Sequence, residues 1–180
     1  MKTYIFGKRS FLSKKIFKYI KNSEVLSLNE INNFNLKKKL RSKQKYNLII
    51  NSFYPSSKIS QIKEYSYFFE KTTSDLSKML DSINPKKINK LIYTSSSSIY
   101  GSIDKNILLE DNFNRKLYGS VKLTCERLIQ NFSTKNKLNF VIARIFNMYG
   151  EGDNTSIISK ILNIKKYKKK LRINNYGQSV

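Results

Sequence analysis

Thr3-Tyr4-Ile5-Phe6-Gly7-Lys8-Arg9-Ser10-Phe11-Leu12 runs from an apolar stretch through one glycine into a segment with helical spacing. Thr3–Phe6 reads as a strand, and Phe11–Ile20 as a helix with Phe11, Leu12, Ile16, Phe17 and Ile20 on one face. A strand, a glycine turn and a helix in that order open a βαβ unit. The pattern repeats along the chain. Glu24–Leu28 is a second strand, followed by a polar helical stretch near Leu36–Leu40. Tyr46–Asn51, built around Leu48-Ile49-Ile50, is a buried strand bounded by Pro55 and serines. Ile62–Ile83 is a long helical segment closed by Asn84-Pro85. Ile88–Ser95 is a strand, Leu117–Phe132 a helix, Phe140–Ile145 a strand and Ile157–Ile164 a helix. Leu171–Ile173 has the composition to start one more strand. Strands separated by helices predict an α/β fold, a parallel sheet covered on both faces. Right-handed crossovers then bring the functional loops to the carboxyl ends of the strands. The unusual residues fall there: Gly7, Asn29, Asn51-Ser52, the serines at 95–98 and Asn147.

The 180 residues are enough for one domain, and 39% hydrophobic residues is too apolar for a disordered chain. Histidine is absent, which excludes Ser-His-Asp triads, Cys-His pairs and His-based metal sites; no metal is expected. The single Cys125 cannot form an internal disulfide. No apolar run reaches the ~18 residues needed to span a bilayer. The apolar stretch after Met1 breaks off too early for a signal peptide, so a cytoplasmic protein without membrane contact is expected.

Lys+Arg 35 against Asp+Glu 12 gives a formal charge of +23, which first suggests a nucleic-acid or anionic-membrane partner. Composition supplies a blander source. Lys, Asn, Ile, Tyr and Phe are abundant and Ala143 is the only alanine, as A/T-rich codon usage would produce. The lysines are scattered apart from the run at 165–170, which reads as a solvated helix end. No helix-turn-helix, zinc or aromatic-platform signature accompanies the charge, and specific nucleic-acid binding is not expected.

Chemistry concentrates in Thr94-Ser95-Ser96-Ser97-Ser98-Ile99-Tyr100-Gly101 and in Tyr118-Gly119-Ser120-Val121-Lys122. Tyr-x-x-x-Lys also occurs at Tyr4/Lys8, Tyr54/Lys58 and Tyr67/Lys71, but only Tyr118/Lys122 opens a helix downstream of a serine-rich strand end. A phenol titrating near ~10 is a poor acid–base group at neutral pH. A lysine one helical turn away faces the same side and lowers that value by ~1–3 units. A serine hydroxyl can hold the substrate oxygen while the phenol exchanges its proton. The alternative reading of the same residues is a polar loop and an ordinary surface pair.

Leu91 to Gly101, then Tyr118-x-x-x-Lys122, then Ala143-Arg144-Ile145-Phe146-Asn147-Met148-Tyr149-Gly150 together resemble the extended short-chain dehydrogenase/reductase family. The similarity is to its nucleotide-sugar epimerase/dehydratase branch and covers nearly the whole chain. It implies a Rossmann-type doubly wound parallel sheet, bound NAD or NADP, and a nucleotide-sugar substrate. It implies Ser96, Tyr118 and Lys122 as the catalytic set, Ser96 and Asn147 at the substrate, and Phe146 beside the nicotinamide. The cofactor positions carried over are Gly7, Arg9, Ser10, Phe11, Leu12, Asn29, Ser52 and Phe53, with Tyr118 and Lys122. The family's G-x-x-G-x-x-G falls on Gly7 to Ser13, where only the first glycine survives. Asn29 stands where an acidic ribose ligand is expected, and with Arg9 this leans towards NADP.

The reading is therefore an NAD(P)-dependent nucleotide-sugar epimerase or dehydratase. Two alternatives stand beside it. The short stretch between Asn29 and Asn47 resembles the dTDP-4-dehydrorhamnose-reductase branch of 4-keto sugar reductases. A non-catalytic Rossmann-fold relative with weakened cofactor binding is the other. Residues 1–180 are expected to form the NAD(P)-binding domain with most of the substrate-binding lobe absent, and a homodimer is compatible with the resemblance.

Overall fold

Strand β1 (Lys2–Phe6) buries Thr3, Tyr4, Ile5 and Phe6 in an unbroken run in the computed structural model. Alternation would mark a strand with one wet face; an unbroken run marks one covered on both. The structure describes residues 1–27, 38, 40, 44–51, 65–101, 117–153 and 156–167. β1 pairs in parallel with β2 (Ser23–Leu26) on one side and β3 (Tyr46–Ile50) on the other, Ile5 lying opposite both Val25 and Ile49. β4 (Ile88–Ser96) pairs in parallel with β3, and β5 (Phe140–Ile145) completes the five-stranded order β2-β1-β3-β4-β5. The fold is a Rossmann-type α/β arrangement with helices on both faces.

That order fixes where a ligand crevice can form. From β1 the chain crosses one way to β2 and the other way to β3. The carboxyl ends of β1 and β3 therefore flank a topological switch point, the usual crevice of an open parallel sheet. Gly7 follows β1 and Asn51 follows β3.

Helix α1 (Phe11–Tyr19) is capped by Ser10, whose hydroxyl accepts from the Ser13 amide at 3.4 Å. The residue that α1 buries is Ser13, 0% exposed, whereas Phe17 is 50% exposed. The expected face is the one turned inward: Phe11, Leu12, Ile16 and Ile20 are half-buried beside Ser13, and only Phe17 of that set lies exposed. The small Ser13 side chain lets the helix come close to β1, its hydroxyl reaching the Phe6 carbonyl at 3.5 Å.

The helical segment expected over 62–83 is described from Tyr65 and has three parts. These are α2 (Tyr65–Phe69), a π-helical turn (Glu70–Ser74) and α3 (Asp75–Ser82). Asn84 then caps a short 3-10 turn at Pro85–Lys87 by accepting from the Lys86 amide at 3.1 Å. Helix α4 (Leu117–Lys135) packs on β4, and Val121, Cys125 and Ile129 join the core that contains Phe6, Leu48, Phe68, Leu76 and Leu91.

The chain divides into two compact units, Met1–Arg144 and Ile145–Val180. In the second, α5 (Ile157–Tyr167) is capped by Ser156, whose hydroxyl accepts from the Ser159 amide at 3.1 Å, and Asp153 accepts from the Ser156 amide at 3.2 Å and the Ser159 hydroxyl at 2.8 Å. Leu171–Ile173, and all of Leu36–Leu40 except Lys38 and Leu40, lie outside the described residues.

Candidate active site

Two groups of residues meet the carboxyl edge of the sheet. The first is the turn from β1 into α1. Gly7 has φ +112°, a conformation that a Cβ would strain. Its amide donates to the Leu26 carbonyl at 3.1 Å, and its carbonyl accepts from the Ser10 amide at 2.8 Å, closing the turn. Lys8 and Arg9 are exposed on it. The first turn of α1 holds no acidic residue, so no carboxylate opposes the positive charge of the helix N-terminus and of the preceding turn.

Ser13 occupies the last glycine position of the expected fingerprint, and its hydroxyl is turned inward. It donates to the Phe6 carbonyl at 3.5 Å and accepts from the Asn51 amide at 2.6 Å. Asn51 Oδ1 in turn accepts from the Thr94 hydroxyl at 2.9 Å. This side chain is bound within the sheet and does not serve as a phosphate contact. Ser10 also spends its hydroxyl locally, as the α1 cap.

The second group gathers at the end of β4. Ser96 is the last residue of the strand, and its hydroxyl accepts from the Ser98 amide at 3.2 Å and donates to the Ser98 hydroxyl at 3.0 Å. Those bonds start the 3-10 turn Ser97–Tyr100, which ends at Gly101 with φ +73°. The Ser95 hydroxyl is buried with no hydrogen-bond partner among the described residues.

Tyr118 and Lys122 lie one turn apart near the start of α4. Tyr118 is partly buried against the core, and Lys122 is 5% exposed. The Lys122 ammonium donates to the Thr94 carbonyl at 2.9 Å and to the Tyr93 hydroxyl at 3.2 Å. Burial holds it down to about 8, against the influence of Cys125 and Glu126, which favour the charged form. An exposed surface pair is therefore not what the structure contains: the lysine is drawn in to the end of β4, two residues before Ser96.

An ion pair braces the same region. Arg144 Nη2 meets Glu126 Oε2 at 2.9 Å, and its Nη1 donates to the Tyr100 hydroxyl at 3.0 Å. The guanidinium also stacks over the Tyr100 ring, 5.1 Å from its centroid. Arg144 thereby ties α4 to the far end of the serine turn. Tyr93, Glu126 and Arg144 were not among the expected site residues. An aromatic inside an apolar strand reads as core, and nothing in local spacing points Tyr93 at a lysine on another element.

Phe146 and Asn147 belong to the second unit, where both are exposed. Asn29, Ser52 and Phe53 lie outside the described residues. No group of three potential metal ligands occurs among the described residues, and no described helix is long and apolar enough to cross a membrane.

A parallel sheet with a glycine turn at the switch point, and a lysine drawn in beside a serine strand end, invites comparison with known proteins. The profile of the NAD dependent epimerase/dehydratase family matches residues 7–180. The chain belongs to that family.

Among relatives of this family member, a putative UDP-arabinose 4-epimerase of Arabidopsis thaliana is 31% identical over 85 residues, 46% of this chain and 20% of the relative. A dTDP-D-glucose 4,6-dehydratase of Dictyostelium discoideum is 26% identical over 151 residues, 76% of this chain and 35% of the relative. The UDP-glucuronic acid 4-epimerase of Bacillus cereus, solved with UDP-glucuronic acid and NAD, has a TM-score of 0.67 at 19% identity. That comparison covers 94% of this chain and 64% of the epimerase. The matches thus span a fifth to about a third of the two sequence relatives' lengths.

Proposed function

We propose that this family member is an NAD(P)-dependent nucleotide-sugar oxidoreductase of the epimerase/dehydratase type, acting through Ser96, Tyr118 and Lys122. The observation that carries the reading is the buried Lys122 ammonium 2.9 Å from the Thr94 carbonyl, at the strand end that also bears Ser96. The nucleotide sugar comes from the chemistry that the relatives' names state, and Asn147 and Phe146 are assigned by motif position alone.

The residues at the switch point fit a dinucleotide. Gly7 at positive φ keeps the turn free of a Cβ, and the α1 N-terminus offers amides and no carboxylate to a pyrophosphate. Gly7, Arg9, Ser10, Phe11 and Leu12 would hold it. When bound, the nicotinamide accepts and returns a hydride. In this proposal the Ser96 hydroxyl holds the reacting sugar oxygen, and the Tyr118 phenol takes its proton and later gives it back. The Lys122 ammonium supplies the positive charge that stabilises the phenolate.

A second reading, a relative that keeps the fold without turnover, is favoured by Ser10 and Ser13. Both hydroxyls are committed inside the protein at positions where glycines would leave backbone open. Thermal-shift and calorimetric titrations with NAD and with NADP separate the two. The proposal expects one dinucleotide to stabilise the fold, by about 2.7 kcal/mol at a hundredfold excess over its Kd. No response to millimolar amounts of either overturns it in favour of the second reading.

A further inference from the structure

We propose that Tyr93 is a positioning residue for Lys122: its hydroxyl holds the lysine ammonium against the end of β4 and keeps it charged there. The inference rests on the reading that Lys122 works with Tyr118, and it adds a group that the Ser-Tyr-Lys set does not include.

Three contacts define the ammonium's seat, and two belong to Tyr93. The Thr94 carbonyl accepts at 2.9 Å, the Tyr93 hydroxyl accepts at 3.2 Å, and the Tyr93 ring centroid lies 4.8 Å away. Tyr93 is 1% exposed and Lys122 5%, so water cannot replace either acceptor without opening the core. A phenylalanine would fill the same volume and keep the ring's attraction for the cation. The hydroxyl is what a packing role alone does not require.

Other ionisable groups on each packed element bear on the pair. From α4, Cys125 and Glu126 face Lys122, and Tyr118 lies close enough to Tyr93 to influence it. From β5, Arg144 engages Glu126 and so occupies the carboxylate that would otherwise compete for the lysine. Cys125 lies close enough to Tyr93 to favour its neutral phenol. Burial pushes the Tyr93 phenol well above its ordinary value, so it stays neutral and offers its lone pair to the ammonium. The phenol therefore stabilises charged Lys122 without taking its proton.

The test is to follow Lys122 by NMR in the full chain with isotope-labelled lysine, assigning its resonance by its loss in Lys122→Met. Tyr93→Phe, in a chain that still unfolds cooperatively, is expected to lower the proton affinity of Lys122 by about tenfold or more. An unchanged Lys122 midpoint in folded Tyr93→Phe overturns the proposal. If that variant does not fold, the unaltered chain with labelled tyrosine supplies the readout. The Tyr93 ring carbon bearing the hydroxyl should shift with the Lys122 midpoint, and a Tyr93 signal indifferent to it overturns the proposal. Neither measurement involves dinucleotide or turnover. Failure of NAD and NADP to stabilise the chain would sink the proposed function and leave this coupling intact.

Discussion

Asn51 and Ser13, 38 positions apart, are joined across the switch point by a 2.6 Å hydrogen bond from the asparagine amide to the serine hydroxyl. Both are buried, at 1% and 0% exposure. With Thr94 they make a polar seam linking α1, β3 and β4 where this family member departs from the glycine fingerprint. Replacing Ser13 by alanine leaves the Asn51 amide without that acceptor in a dry site. Ser13→Ala should cost about 1–3 kcal/mol in urea unfolding, far more than a serine-to-alanine change on an exposed helix. Parental stability would show that the seam is not a constraint.

The Arg144–Glu126 pair predicts an asymmetry. Glu126 is 4% exposed at its side chain and Arg144 25%. Removing the arginine strands a buried carboxylate, whereas removing the carboxylate leaves a cation that water can partly reach. Arg144→Met should therefore destabilise by about 3–5 kcal/mol and Glu126→Gln by clearly less. Equal losses in urea titrations would contradict this.

Lys122 gives a pH dependence with a definite sign. Its folded-state value near 8 lies below the ordinary 10.5. Between those values the unfolded chain holds more protons than the folded one, so stability from this group rises with pH. Below about 8 both states are protonated and the full cost of the buried charge is present. The stability of the parent relative to Lys122→Met should improve by roughly 1–3 kcal/mol as pH climbs from 8 to 10.5. Denaturant titrations of the two proteins at three or four pH values check it, and a flat difference counts against the buried ammonium.

For turnover, Tyr118→Phe keeps the ring and deletes the proton-transferring hydroxyl. Under the proposed function it should lower the rate by ~100- to 10,000-fold while dinucleotide affinity stays within a few-fold. Lys122→Met should weaken both. A Tyr118→Phe enzyme working at the parental rate would refute the assignment.

The sheet was legible because its strands are apolar runs between helical segments: β1 was expected at Thr3–Phe6 and stands at Lys2–Phe6. The Tyr118/Lys122 spacing was equally visible. The destination of the Lys122 ammonium was not, because its partner Tyr93 lies 29 positions away on a different element. Phe17 shows the limit of helical periodicity, which marks a stripe but not which of its members reach the sheet: Ser13 within that stripe is buried and Phe17 is exposed. The π-helical turn was missed for another reason. Thr72 and Thr73 donate to the Phe68 and Phe69 carbonyls at 2.6 and 2.7 Å, and such side-chain competition for the backbone leaves no trace in a hydrophobic pattern.

Cys125 turns one of these packed seams into a clock. It is the chain's sole thiol, 2% exposed, and its sulfur lies 3.8 Å from the Thr72 carbonyl in the π-helical turn. A thiol-reactive reagent can label the folded protein only when α4 lifts from that turn or the whole chain opens. Where reclosing outpaces labelling, the labelling rate divided by that of the unfolded chain gives the fraction of time the seam stands open. Repeated across the variants above, that single reaction separates substitutions that loosen this seam from those that lower global stability alone.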